Sequence, residues 1–151
     1  MPLSMASPTA LILFSHGARD ARWALPFEAV ASAVRQHRPD LAVSLAYLEF
    51  MSPSLIDAAD TAVAQGARRV QVVPLFLGAG GHVRKDLPVL METLAARHPA
   101  VTFCLEAAIG EREDVIAAMA QSIVQANAPA PIQTVATDQP KDPAQCRTLP
   151  P

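Results

Sequence analysis

Along this chain short apolar runs alternate with segments in which apolar residues recur at helical spacing, and that alternation leaves few folds open. Ala10 to Ser15 (ALILFS) is a continuous apolar run, too short for a helix of ordinary length. It reads as a strand buried on both faces, as a parallel sheet requires. Phe27, Val30, Ala31 and Val34 follow at i, i+3, i+4 and i+7, which marks an amphipathic helix. Pro26 suits that helix's first turn and Pro39 stops it. Leu41 to Phe50 is the second predicted strand. Ser52 and Pro53 then predict a helix start, serine at the N-cap and proline after it, with an apolar stripe of Leu55, Ile56, Ala59 and Val63 and Gly66 just past its end. Val70 to Leu77 predicts the third strand, followed by a glycine-rich loop, Gly78 to His82. Asp86 and Pro88 predict the opening of a third helix, striped by Leu90, Met91, Leu94 and Ala95. Val101 to Ala107 predicts a fourth strand, and Val115, Ile116, Met119, Ile123 and Val124 a fourth helix.

Serial strand–helix units predict an α/β fold: a four-stranded parallel sheet with helices on both faces. Right-handed crossovers narrow the topology, and a flavodoxin-like order 2-1-3-4 is the expected one. Residues 1–126 are expected to form a single domain. Residues 127–151 lose the pattern, are rich in proline and polar residues, and are expected to be a mobile tail.

Composition excludes several classes. Of the 151 residues, 51% are hydrophobic and 17% charged, which suits a packed domain. The formal net charge of −2 is the wrong sign for a general nucleic-acid footprint. No apolar run approaches the roughly 20 residues that cross a bilayer. Nothing from Met1 to Ala10 resembles a secretory signal, so a cytoplasmic location is expected. Cys104 and Cys146 form no CxxC pair, and Cys104 in its apolar run is expected to be a small core residue.

In an open sheet of order 2-1-3-4, ligands bind beyond the carboxyl ends of strands one and three, where the winding reverses. His16 directly follows strand one, and His82 closes the loop after strand three. Imidazole is a common ligand for cobalt, iron and nickel and titrates near neutrality. Two histidines are too few for a closed metal site but enough for a transient one. His37 and His98 stand at helix ends before prolines, where a structural interaction with the helix C-terminus is expected. The loop glycines Gly78, Gly80 and Gly81 fit no phosphate-binding pattern. They form either a flexible turn or space for a large planar ligand. Arg19, Arg84 and Lys85 lie near the histidines in sequence and are either solvated charges or partners for ligand carboxylates. Glu49, at the end of strand two, is either a site residue or half of a structural ion pair.

Three segments carry a resemblance. Leu11-Ile12-Leu13-Phe14-Ser15-His16-Gly17 resembles the opening of the class II tetrapyrrole chelatases. Tyr47 to Leu55 (YLEFMSPSL) resembles their second-strand "LE…PS" segment, and Val73 to Pro88 (VPLFLGAGGHVRKDLP) resembles the "PLFL…GGH…D(I/L)P" stretch of the CbiX and SirB group. The similarity covers about residues 10 to 125, and the third motif is the most specific. The resemblance implies a flavodoxin-like fold and insertion of Co²⁺ or Fe²⁺, with Ni²⁺ in some relatives, into sirohydrochlorin. It implies no cofactor beyond that metal. It places metal contact and proton abstraction on His16 and His82, and an auxiliary base on Glu49. Arg19, Gly80, Gly81, Arg84 and Lys85 are then expected to bind substrate. A chain of this length resembles the short members, which pair as homodimers. The competing expectation is a carrier of tetrapyrrole or metal that uses the same histidines without turnover.

Overall fold

Parallel pairing on both sides of one strand organises the chain. The computed structural model describes residues 8–78 and 80–129, with the side chain of His82 outside the described set. The central strand β1 (Thr9–Ser15) pairs with β2 (Ala42–Tyr47) on one side and β3 (Arg69–Pro74) on the other, and β4 (Thr102–Leu105) pairs with β3. The order is 2-1-3-4, all parallel. Four helices connect and follow the strands: α1 (Leu25–His37), α2 (Leu55–Ala64), α3 (Gly81–Arg97) and α4 (Glu113–Ala126). None of the described helices is long and apolar enough to cross a membrane.

Alternation along the strands divides the core. Ala10, Ile12 and Phe14 of β1, with Val70 and Val72 of β3, face α2 and α3 and pack against Leu55, Ala59, Leu87 and Leu94. Each fully buried aliphatic or aromatic side chain of this kind contributes about 1.5–3 kcal/mol. Alanines at 58, 59 and 62 let α2 lie close to the sheet. The other face carries Leu11, Leu13, Val73 and Leu75, and α1 lies on it through Phe27, Val30 and Val34.

Several expected boundaries move. Strand two ends at Tyr47, not Phe50, because Leu48 to Pro53 turns away after its last sheet bonds. The N-cap of α2 is Ser54, not Ser52. Its Oγ accepts from the Asp57 N–H at 3.1 Å and donates to the Asp57 carboxylate at 2.8 Å, so serine and acid three apart close the first turn. Strand three ends at Pro74 and strand four at Leu105, each shorter than the apolar run that announced it. Pro26 in the first turn of α1 and Gly66, with φ +98° just past α2, stand as expected.

The largest correction concerns α3. It begins at Gly81, so Gly81 and His82 belong to its first turn and not to a loop, and Pro88 lies inside it. Proline at that depth removes one helix bond and crowds the carbonyl of Arg84, while the flanking turns keep their packing through the buried Val83 and Leu87. Helix α4 forms where expected, but of its apolar stripe Ile116, Met119, Ile123 and Val124 are exposed. Cys104 is half-buried, not a core residue. Beyond residue 129 the expected tail lies outside the described residues.

The two structural histidines are tied down away from the site. The His37 ring bonds the Ala33 carbonyl through Nδ1 at 2.8 Å. His98 Nε2 lies 2.6 Å from Asp60 Oδ1, and Arg97 grips the same carboxylate with contacts of 2.7–3.1 Å. Hydrogen bonds from Arg97 first, then His98, hold the Asp60 carboxyl below its ordinary value of 3.8. A depressed folded value means that the contribution is present above the unfolded pKa and is lost as pH falls through the folded one. The urea midpoint of the native chain is therefore expected to exceed that of Asp60→Asn at pH 7, with the gap closing as pH falls below about 4. A gap that persists unchanged to pH 3 would exclude the ionic origin.

Candidate functional site at the carboxyl end of the sheet

Register places the first two site residues. Ser15 pairs with Tyr47 at the ends of β1 and β2, and the sheet bonding continues one step further. The Leu48 N–H donates to the Ser15 carbonyl at 2.9 Å and the Glu49 N–H to the His16 carbonyl at 3.0 Å. His16 and Glu49 are thus neighbours by backbone geometry before their side chains are considered. Gly17 makes the approach possible. Its φ is +87°, a conformation that favours glycine, and a Cβ there would lie 1.9 Å from the Glu49 carbonyl oxygen.

The side chains then meet. His16 Nε2 lies 3.4 Å from Glu49 Oε1, with each side chain about half exposed, at 48% and 47%. His16 Nδ1 lies 3.2 Å from the Gly17 carbonyl oxygen. A carbonyl only accepts, so the ring is held with Nδ1 positioned to donate to Gly17 and Nε2 turned toward Glu49. Glu49 is solvent-exposed, so the cost of burying a carboxylate, which its strand-end position suggested, does not arise.

Both residues line a cleft of about 420 Å³ with Leu48, Val83 and Asp86. Val83 and Asp86 come from the first turns of α3, whose start at Gly81 carries the backbone of His82 to this edge of the sheet. Asp86 escaped the sequence reading, which spent it on a helix start. Its position four residues after His82 was the available signal. Among the described residues no three His, Cys, Asp or Glu side chains converge closely enough to hold one ion.

The basic candidates separate. The Arg19 guanidinium sits 5.0 Å from the centre of the Phe50 ring, a cation–π contact with the loop that carries Glu49. Phe50 itself has φ +63° and projects its ring into solvent. Arg84 lines a second cleft of about 420 Å³, with Phe76, Leu87, Leu105 and Glu111, and pairs with Glu111 at 3.6 Å. Val83 forms a wall of both clefts. Lys85 is exposed and lines neither. Among the described residues a Cβ added at Gly78, Gly80 or Gly81 would meet nothing within 4 Å, so none of those residues requires the three to be small.

A doubly wound parallel domain with a His–Glu cleft at its switch point belongs to the ligand-handling α/β proteins. Comparison narrows that class to a family. Residues 10–126 match the CbiX family model, and the chain belongs to that family. It is 33% identical over 94 residues to the sirohydrochlorin cobaltochelatase of Methanocaldococcus jannaschii, covering 59% of this chain and 62% of that one. It is 27% identical over 110 residues to the sirohydrochlorin ferrochelatase of Bacillus subtilis, covering 73% of this chain and 42% of the other. Among solved structures it is similar to one from Marinobacter aquaeolei described as a cobalamin (vitamin B12) biosynthesis CbiX protein. The TM-score is 0.71 at 38% identity, over 80% of this chain and 98% of that one. The chain thus spans less than two thirds of the length of both curated relatives.

Proposed function

We propose that this chain inserts Co²⁺ or Fe²⁺ into sirohydrochlorin, with His16, His82 and Glu49 as the reacting set. The observation that carries the reading is the His16 ring, with Nδ1 3.2 Å from a carbonyl oxygen and Nε2 held beside a carboxylate in an open cleft. A metal enters the macrocycle only as two pyrrole N–H protons leave it. A neutral imidazole nitrogen can accept such a proton, and the adjacent Glu49 carboxylate stabilises the resulting imidazolium. The same lone pair is a ligand for either metal. His82, at the start of α3 on the far side of the crevice, is assigned the same pair of tasks without dividing them. Arg84 in the adjoining cleft, with Arg19, is assigned to the carboxylates of the ring's substituents, and the open space over Gly80 and Gly81 to the ring itself. Lys85 stands as the weakest of these assignments. No cofactor beyond the metal substrate enters the scheme, and we assign the reaction to the cytoplasm.

We also assign the working unit to a homodimer. The support is an uncovered apolar surface: a groove of about 530 Å³ on the α1 face, lined by Leu11, Leu13, Val30, Val34, Val73 and Leu75, beside the exposed stripe of α4. Apolar surface left uncovered beside an exposed helix stripe is of the kind that interaction sites use. Ile123→Glu is expected to halve the mass measured by sedimentation while the melting temperature of the domain changes little, because Ile123 is exposed in the single chain. A native chain that sediments as a monomer would refute the dimer.

The metal preference is tested by anaerobic absorbance assays of sirohydrochlorin with Co²⁺ and with Fe²⁺ separately, each against the spontaneous rate. Acceleration with either supports the reading and ranks the metals; acceleration with neither removes it.

A further inference from the structure

Asp86 has no role in the scheme so far, and its surroundings call for one. It lines the same cleft as His16 and Glu49, and the other two walls, Leu48 and Val83, are apolar. Among the described residues the polar lining is therefore one imidazole and two carboxylates, with no lysine or arginine. Of the nearby basic residues, Arg19 lies on Phe50, Arg84 pairs with Glu111, and the exposed Lys85 does not line this cleft. Among the described residues the Asp86 side chain takes part in no hydrogen bond or ion pair, and Glu49 pairs only with the half-exposed His16. Two carboxylates beside one imidazole favour a dication in that space.

We infer that Asp86 is the residue that captures the metal ion as it enters the cleft and passes it to His16, an inference that rests on the proposed chelatase reading. The arrangement suits a transient ion. The acidic and imidazole groups do not converge into a closed set of ligands, and a closed set would hold the metal against transfer. Charge also balances. When the dication leaves for the macrocycle, two pyrrole protons are released into the cleft it vacated, so the total charge there is unchanged. Asp86 lies in the early turns of α3, where a carboxylate also favours the helix. The test must therefore separate metal capture from helix stability.

The experiment uses the full chain, native, Asp86→Asn and Asp86→Glu. Each is titrated with Co²⁺ alone and then assayed for insertion at saturating sirohydrochlorin, with melting temperatures recorded alongside. For Asp86→Asn the Co²⁺ dissociation constant and the KM for Co²⁺ are expected to rise on the order of tenfold, with kcat within about twofold and the defect shrinking at high ionic strength. Asp86→Glu is expected to restore both. Unchanged Co²⁺ affinity in Asp86→Asn overturns the inference, whether or not the melting temperature falls, and so does a loss confined to kcat. The two readings fail separately. A native chain that binds Co²⁺ with this dependence on Asp86 but inserts none refutes the chelatase assignment alone; one that inserts metal indifferently to Asp86 refutes the capture role alone.

Discussion

Replacing His16 with alanine is expected to lower the rate of metal insertion by about 10²–10⁴-fold, the usual worth of a positioned proton acceptor. The loss is expected mainly in kcat. Nε2 is the one ring nitrogen of His16 free to take a pyrrole proton, because Nδ1 is occupied by the Gly17 carbonyl. Glu49 cannot replace it by reach alone, since it acts on the ring 3.4 Å away. The side chain is half exposed and forms no part of the core, so the melting temperature should hardly move. Steady-state kinetics with matched thermal melts checks both statements. An active His16→Ala chain would transfer the chemistry to other residues.

The second large effect falls on a residue with no functional group. Gly17→Ala places a methyl group 1.9 Å from the Glu49 carbonyl oxygen, a contact with backbone and not with a flexible side chain. It also forces a residue with a Cβ to adopt φ +87°. Together these are expected to destabilise the chain by roughly 2–4 kcal/mol, or to push the Glu49 segment away from His16 at a comparable loss of rate. Denaturant unfolding measures the first and insertion kinetics the second. If both remained at native values, the close approach of the two loops would be refuted.

Sequence patterning was enough for the order of the sheet, the strand centres and the placing of His16 beyond β1, because a strand buried on both faces leaves an apolar run that nothing else explains. It was weaker at element ends. There the outcome depends on bonds made to neighbours: Leu48 and Glu49 continue the sheet bonding past β2, and Ser54 rather than Ser52 finds an N–H to accept from. Glycines and a proline disguised the start of α3, since Gly80 and Gly81 read locally as loop residues and Pro88 as a residue of a helix's first turn. That error hid Asp86, which enters the cleft only once the helix begins at Gly81. Periodicity identified the apolar stripe of α4 but could not say what covers it. Nor could spacing show that Arg19 lies on Phe50, or that Arg84 faces Glu111, since both pairs join separate loops and helices.

The central claim is turnover at the His16–Glu49 cleft. The most direct measurement is product formed under anaerobic conditions with sirohydrochlorin and Co²⁺ or Fe²⁺ both in large excess over the chain. Metallated product well beyond one equivalent per chain, formed faster than the spontaneous reaction and abolished by His16→Ala, is the predicted result. Product that stops at one equivalent, or a rate equal to the spontaneous one, would contradict it, and the first of these would identify a carrier instead of an enzyme.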